Sequence, residues 1–290
     1  PPRSTLFPYT TLFRSAKNDV IYFNLELRVN KETRRLSRVV VNSVEGALHR
    51  RVGATIIQDL WRWSALQKEQ SVSSEHRHFL LPNSFLGKSR FARSDRLRQR
   101  LRVPPDAALL VYIGSLVEHF MIRDLVNALA GNQGLFLVLH SPTVGTNDQE
   151  LRSWVQAMAG RFGNLYLSDE MLRPSQLDDL IIGADVGVAM VKGVEGNVLN
   201  EELMGFSSGK ICAYLQNGLP IITSRLPSLA WVEESKAGIC IASGSLGLME
   251  KYVMDIMENW DEYSRSAAAC FDKCLSLDNY LPMLKGYVLD

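Results

Sequence analysis

Four consecutive residues, Ser207, Ser208, Gly209 and Lys210, have the chemistry needed to hold a diphosphate. A serine is a good N-cap for the helix predicted to follow, and a glycine after it lets a phosphate approach the backbone closely. The first-turn amides and the Lys210 ammonium would hold the anion by charge-assisted hydrogen bonds. The spacing is not that of a Walker loop, and an ordinary capped helix with a surface lysine is the alternative interpretation.

A second candidate phosphate contact is the pair Gly114 and Ser115, which follows the apolar run Ala108–Ile113. A tight glycine turn at the end of a strand lets the backbone face a phosphate. Arg123, on the helix predicted next, would assist as a second cation. His119 lies close after this glycine and is a weaker candidate for a substrate contact.

A third candidate site is the loop formed by Ser168, Asp169 and Glu170, which follows another strand-like run. It would bind a nucleobase through backbone groups, although the same residues suit an ordinary loop. His140 is interpreted as a strand-end histidine, because neither it nor His119 has a visible partner for a catalytic triad.

The elements that must position these residues form a regular alternation of strands and helices. Apolar strand-like runs are predicted at Ala108–Ile113, Leu135–His140, Leu165–Leu167, Asp185–Met190, Pro220–Thr223 and Gly238–Ile241. Helical patterns lie between them at Ile122–Ala130, Asn147–Gly160, Pro174–Gly183, Gly209–Gln216 and Ser228–Glu234. This order predicts an α/β fold with a doubly wound parallel sheet and right-handed crossovers. Ligands of such sheets bind at the carboxyl ends of the strands.

Composition bounds the class of protein. The chain has 290 residues, of which 46% are hydrophobic and 22% charged, as in ordinary globular proteins. Its four cysteines lack the spacing of a zinc site or a disulfide framework, which favours a reduced cytoplasmic compartment and no structural metal. No apolar run is long enough to span a membrane, and no G-x-G-x-x-G follows a predicted strand, which argues against a dinucleotide oxidoreductase.

Charge is distributed unevenly along the chain. Residues 1–102 carry 20 Lys/Arg and 8 Asp/Glu, whereas residues 103–290 carry 12 and 23. This asymmetry predicts two units. The basic half is either a face normally paired with another surface or one attracted to anionic lipid or an anionic acceptor. Nucleic acid is not predicted as a partner, because no aromatic-rich or recognition-helix pattern accompanies the basic residues.

The first fifteen residues are interpreted as non-native. The stretch TLFPYTTLFRS at residues 5–15 resembles the in-frame translation of a sequencing adapter, and Pro1, Pro2 and Pro8 discourage regular structure. We therefore expect natural sequence from about Ala16. The predicted organisation is residues 16–94 as the remnant of one domain with its linker, and residues 95–290 as a second domain.

Ser208–Thr223, with the sequence SGKICAYLQNGLPIIT, resembles the diphosphate-binding helix of bacterial group-1-like GT-B glycosyltransferases. The usual form of that helix is P/G-x-K-hydrophobic-x-E-Y-x-x-x-G-x-P. Ala184–Val191 and Ala237–Ile241 occupy the places expected for the flanking strands, and Leu81–Ser84 matches the crossing between domains.

The resemblance implies a GT-B fold of two Rossmann-like domains, with the donor nucleotide in the second and the acceptor in the first. The final helices would pack back towards the first domain. Lys210 would bind the diphosphate, with Gly209 and Ser208 as the amide cradle. The donor would be a UDP- or GDP-sugar, the acceptor a saccharide or a lipid-linked saccharide, and transfer would require no metal or other cofactor.

The chain departs from the family pattern at three positions. The glutamate that usually holds the ribose falls at Ala213, and the arginine and lysine after the first glycine turn fall at Ser115 and Phe120. We also expect an N-terminal truncation that leaves the fragment inactive, because only about 80 natural residues precede the second domain, against roughly 150 in a Rossmann unit. A nucleotide-sugar epimerase of GT-B architecture and a non-catalytic nucleotide-binding scaffold are the alternatives.

Overall fold

A computed structural model describes residues 10–14, 20–25, 27, 43–49, 51–142, 148–192 and 202–289. The chain divides into two compact units. The first comprises residues 1–87, 194–208 and 275–290, and the second comprises residues 88–193 and 209–274. The division falls at Gly87 and Lys88, whereas the sequence predicted residues 94 and 95.

The second unit contains a six-stranded parallel sheet. Its strands are β5 (Ala108–Ile113), β6 (Leu135–His140), β7 (Leu165–Ser168), β8 (Val186–Ala189), β9 (Ile221–Ser224) and β10 (Gly238–Ile241). They lie in the order β10-β9-β8-β5-β6-β7, and each neighbouring pair is parallel. The chain runs outwards from β5 to β7 and then returns to β8 on the other side of β5. The switch point of this doubly wound sheet is therefore the gap between β5 and β8.

Helices follow the strands as the alternation predicts. The α-helices of this unit are Arg96–Leu101, Ile122–Leu129, Gln149–Arg161, Pro174–Ile182, Gly209–Gln216, Trp231–Glu234, Met249–Glu258 and Trp260–Cys270. Shorter 3₁₀ turns lie at Glu118–Phe120, Pro227–Leu229 and Ser243–Leu248, and a π-helical turn lies at Phe271–Leu275. We call Gly209–Gln216 the Lys210 helix.

The core of this unit forms because its central strands are apolar on both faces. In β5 the residues Leu109, Leu110, Val111 and Tyr112 are completely buried. Continuous apolar runs of this kind are typical of parallel strands covered by helices on both sides. Asn147, where a predicted helix began, lies outside the described residues.

The first unit contains a smaller, mixed sheet in the order β1-β2-β3-β4. Its strands are β1 (Thr10–Arg14), β2 (Val20–Asn24), β3 (Ala54–Ile57) and β4 (His78–Leu80). Helical residues 43–49 and the helix Leu60–Gln70 belong to this unit, as do the turns Gly205–Ser207 and Leu277–Asn279 and the helix Leu281–Leu289. Leu284 and Tyr287 of the last helix pack against the core of this sheet.

The expectation that residues 1–15 contain no regular structure is wrong for Thr10–Arg14. This segment pairs antiparallel with β2 along its whole length. An unpaired strand edge accepts a chain of suitable β-propensity whatever its origin, and this segment contains two threonines and a phenylalanine. The rest of the predicted adapter-like segment lies outside the described residues.

Two further observations concern membrane-spanning helices and cysteine or metal sites. None of the helices within the described ranges is long and apolar enough to cross a membrane. All four cysteines are free thiols, and the described residues contain no group of three or more candidate metal ligands.

Candidate functional site

The candidate site is built on the carboxyl end of β5, at the switch point of the second sheet. Gly114 follows the strand with φ at +142°, a backbone conformation that residues with a side chain rarely adopt. The Tyr112 hydroxyl donates a hydrogen bond to the Ser115 carbonyl at 2.7 Å, which fixes the turn. This part of the chain can therefore present bare backbone to a ligand.

Lys210 reaches this glycine turn from the first turn of its helix. A Cβ placed on Gly114 would lie 3.0 Å from Lys210 Nζ, so the two residues are in contact. Nζ donates a hydrogen bond to the Tyr112 hydroxyl at 3.2 Å. It also lies 4.2 Å from the centroid of the Tyr112 ring and 4.0 Å from that of Phe120. The structure thus brings Gly114, Gly209 and Lys210 into one place.

The electrostatic setting of Lys210 is unusual for a lysine. In the parts of the chain that the structure describes, no carboxylate forms an ion pair with Nζ. Burial of the ammonium lowers its pKa from 10.5 to about 7. Protein surroundings that desolvate a cation without supplying an opposite charge have this effect. An arriving anion would supply that charge.

Tyr214 fixes the Lys210 helix to the sheet beneath it. Its hydroxyl accepts a hydrogen bond from the Ile113 N–H at 2.9 Å and donates to the Val111 carbonyl at 3.3 Å. A methyl group on Gly187 would lie 2.6 Å from the Tyr214 ring, so the ring packs directly on the backbone of β8. Burial raises the pKa of Tyr214, and the phenol therefore stays neutral.

Ser207 and Ser208 precede the Lys210 helix in sequence but belong to the first unit. The Ser207 hydroxyl donates to the Met204 carbonyl at 2.6 Å and accepts from the Arg62 guanidinium at 3.2 Å. Asn83 donates to the Ser207 carbonyl at 3.1 Å. Ser208 is buried. The contacts of Ser207 lie within its own unit. The predicted contacts of Ser207 and Ser208 with a diphosphate, including the role of Ser208 in the amide cradle, stay predictions.

Arg123 contacts Glu118 and Trp154. Its guanidinium forms an ion pair with Glu118 at 2.9 Å and lies over the Trp154 ring, 4.6 Å from its centroid. The predicted contact of Arg123 with a phosphate would require this surface pair to open. The His119 carbonyl accepts a hydrogen bond from the backbone N–H of Lys192 at 2.8 Å.

The third candidate loop is tied to the neighbouring strand and helix. His140 Nδ1 lies 3.1 Å from the Ser168 hydroxyl, and burial lowers the pKa of this histidine. Arg152 pairs with Asp169 at 3.2 Å and donates to the Ser141 carbonyl. These contacts support the interpretation of His140 as a strand-end residue.

Tyr112 and Phe120 are contacts of Lys210 that the sequence did not predict. Tyr112 stands inside an apolar strand, where an aromatic residue normally indicates core packing. Phe120 attracted notice only as a departure from a family pattern. The alternation of residues along β5 offered a signal for Tyr112, because it lies two positions before Gly114 and therefore on the same face of the strand.

Comparison with known proteins gives matches among solved structures alone, because no protein-family model and no curated protein sequence matches the chain. The Anabaena protein HepE, solved in complex with UDP-glucose, has a TM-score of 0.69 at 13% identity, over 94% of this chain and 72% of its own. Sucrose-phosphate synthase from Thermosynechococcus elongatus has a TM-score of 0.66 at 17% identity, over 92% and 66%.

A third similar structure is an alpha,alpha-trehalose-phosphate synthase (UDP-forming) from Burkholderia xenovorans in complex with glucose-6-phosphate. Its TM-score is 0.61 at 10% identity, over 94% of this chain and 69% of its own. The chain thus spans about two thirds to three quarters of the length of these proteins. Likeness at such low identity establishes a fold. The chain has the α/β, Rossmann-like fold of the GT-B glycosyltransferases.

Proposed function

We propose that the second unit binds the diphosphate of a nucleotide sugar, and that the protein transfers the sugar to a saccharide or lipid-linked acceptor. The observation that carries the proposal is the Lys210 ammonium at the switch point of the sheet, held against Gly114 and lacking a described acidic partner. In this proposal Lys210 contacts the phosphates, and the backbone of Gly114, Ser115 and Gly209 completes the cradle. Ser207, Ser208 and Arg123 are secondary candidates.

The cradle also suggests how the leaving group is stabilised. Sugar transfer leaves a nucleoside diphosphate, on which negative charge develops in the transition state. A lysine ammonium and the amides of a helix N-terminus stabilise such charge. We therefore propose that transfer proceeds without a metal ion or other cofactor. Addition of a strong chelator should leave the affinity for the nucleotide unchanged, and a large loss of affinity would contradict this part of the proposal.

The solved neighbours guide the choice of nucleotide. HepE has been solved with UDP-glucose and with UDP together with glucose. This favours UDP over GDP as the first donor base to test. We propose no particular sugar for this chain.

Calorimetric titration of residues 16–290 with UDP, GDP and ADP tests the proposal. We expect one nucleotide to bind preferentially and the Lys210→Ala variant to lose about tenfold or more in affinity, as for a lost charge-assisted contact. Lys236→Ala is the matched control, because Lys236 is an exposed lysine paired with Glu262 at 2.7 Å. A folded protein that binds none of the three would contradict the proposal.

Product analysis of the full-length protein with a UDP-sugar and candidate acceptors separates transfer from the alternatives. A glycosylated acceptor supports a transferase, an epimerised sugar supports an epimerase, and nucleotide binding without turnover supports a scaffold. The expectation that the 290-residue chain itself transfers no sugar stays a prediction, and detectable transfer would contradict it.

A second proposal concerns the basic residues 1–102 and the surface with which they associate. The excess of Lys/Arg in residues 1–102 suits a polyanionic surface. We propose a cytoplasmic protein that associates peripherally with the anionic inner face of the membrane. Flotation with vesicles that contain anionic lipid, compared with neutral vesicles, is the test, and equal partition into both would contradict it.

A further inference from the structure

The surroundings of Lys210 are aromatic and neutral. Its Nζ lies between the faces of the Tyr112 and Phe120 rings, which we call the aromatic box. The Tyr112 hydroxyl gives its own proton to the Ser115 carbonyl, so its oxygen is the acceptor for Nζ. Aromatic faces attract a cation, but they supply no formal negative charge and exclude water.

Among the described residues, few titratable groups lie on the elements that surround Lys210. On β5 the group that faces Nζ is the Tyr112 phenol, and Tyr214 lies one turn further along the Lys210 helix. Both phenols stay neutral, because burial raises the pKa of each. Within the turn Glu118–Phe120, Glu118 is paired with Arg123 at 2.9 Å. His119 also belongs to that turn, and its ring lies 4.3 Å from the Phe120 ring, centroid to centroid.

We propose that Lys210 is a proton-coupled contact, whose amine takes up a proton when the diphosphate of the donor binds against the aromatic box. This inference rests on the proposed function, since it concerns the same site. The proton passes from the buffer to Nζ, and the charge of the donor's diphosphate does not change. The bound state is then an ammonium between two aromatic rings and the phosphate oxygens.

The physical cause is a difference in surroundings between the two states. In the empty site, burial without an opposite charge favours the neutral amine and lowers the pKa of Lys210 to about 7. Bound phosphates restore the opposite charge and raise that pKa again. The apparent affinity for the donor should therefore fall roughly tenfold for each pH unit above the pKa of the empty site.

Calorimetry with UDP-glucose measures this uptake directly. UDP-glucose is a better probe than UDP, because the terminal phosphate of UDP titrates near pH 6, as phosphate monoesters do. Titrations at pH 8 in buffers of different ionisation enthalpy give the number of protons taken up. We expect about 0.9 proton per donor bound for a free pKa near 7. Lys210→Arg is the decisive control, since arginine stays charged: whatever donor binding this variant keeps should occur without proton uptake.

The outcomes distinguish the two proposals. Absence of UDP-glucose binding by the folded protein would contradict the proposed donor and, with it, the coupling. Binding with fewer than about 0.1 proton and an affinity that is flat from pH 7 to 9 would overturn the coupling alone. Uptake that persists in the Lys210→Arg variant would also overturn it, because another group would then be responsible.

A measurement on the empty protein completes the test and needs no ligand. Lysine labelled with ¹³C at Cε reports its own protonation by NMR, and Lys210→Arg identifies the Lys210 signal by its disappearance. We expect this signal to titrate between about pH 6 and 8. The signal of exposed Lys236 should titrate at far higher pH, because its hydrogen bond with Glu262 raises the pKa of this lysine. A Lys210 signal that titrates above about pH 9.5 would overturn the proposal.

Discussion

Two charged side chains in the second unit, one buried and one half-buried, lie at opposite edges of the same pair of strands. Asp185 lies just before β8, at its amino end, and is 2% exposed. Its carboxylate forms ion pairs with Arg93 and Arg98 and accepts a hydrogen bond from the Leu109 N–H at 2.7 Å. Lys210 lies beyond the carboxyl end of β5, where its Nζ contacts the rings of Tyr112 and Phe120 and donates a hydrogen bond to the Tyr112 hydroxyl.

The comparison separates structure from function. A buried charge with charged partners on its own chain joins elements together, and removing it leaves those partners uncompensated. A charge that is partly removed from water among neutral groups makes the fold less stable in its charged form. Such a group is a candidate for binding a ligand that supplies the opposite charge. In the function proposed above, the amino edge of the sheet is therefore structural and the carboxyl edge binds the donor.

The largest expected effect is on the structural side. Asp185→Asn leaves the two arginines facing an amide, and we expect the free energy of unfolding to fall by about 3 kcal/mol or more. Chemical denaturation measures the loss. Asp178→Asn is the control, because its ion-pair partner Arg90 is largely exposed and the change should cost less than about 1 kcal/mol. Similar losses in both variants would remove the contrast between the two edges.

Lys210, at the carboxyl edge of the sheet, should make the stability of the fold depend on pH, because the folded state disfavours its charged form. Between pH 10.5 and about 7 the unfolded chain binds a proton at Lys210 and the folded chain does not. Stability must therefore decrease as the pH falls through this window. We expect Lys210→Met to remove about 2 kcal/mol of this decrease between pH 9 and 7. Denaturation curves at both pH values are the measurement, and an identical pH dependence in the two proteins would contradict the argument.

A smaller effect is expected where the Lys210 helix is joined to the sheet. Tyr214→Phe keeps the ring against Gly187 but leaves the Ile113 N–H without its acceptor. The expected loss is about 1–2 kcal/mol, the cost of one buried donor. Thermal unfolding measures it. Tyr166→Phe, at a partly exposed tyrosine that donates to the Leu101 carbonyl, should cost less. Equal losses of stability in the two variants would mean that the buried Tyr214 hydroxyl stabilises the fold no more than a partly exposed one does.

The smallest effect concerns Arg123. Its pair with Glu118 lies at the surface, so Arg123→Ala should change stability by less than about 1 kcal/mol. UDP affinity should stay within about twofold of the parent if the pair persists in the bound state. A loss of tenfold or more in the calorimetric titration would show that Arg123 turns to the phosphates, as the sequence first predicted.

Much of the second unit could be predicted from the sequence, because the apolar runs and turn residues along the chain coincide with the strands and helices that pack in its core. β5, β6 and β10 and the Lys210 helix begin and end where their apolar runs predicted. Gly218 adopts φ of +65° and ends that helix, as expected for a glycine before a proline-led strand. The approach of Gly114 to Lys210 follows from the same topology, since strand ends and helix starts share one edge of the sheet.

The rest depends on partners far away in sequence. β4 has three residues and forms by pairing with β3, which its own sequence does not indicate. No helix was predicted at Arg96–Leu101, yet this helix buries Leu97 and directs Arg98 to Asp185. The aromatic box escaped prediction for the same reason, because it joins a strand, a turn and a helix that are up to 98 residues apart.

The division of the chain has a consequence for its synthesis on the ribosome. Leu284 and Tyr287 complete the core beside β3 and β4, yet they are translated after every residue of the second unit. During synthesis, β3 and β4 therefore keep part of their apolar surface exposed while the larger sheet of the second unit is translated and folds. We expect chaperones to stay bound to the N-terminal strands of the nascent chain for longer than to the second unit.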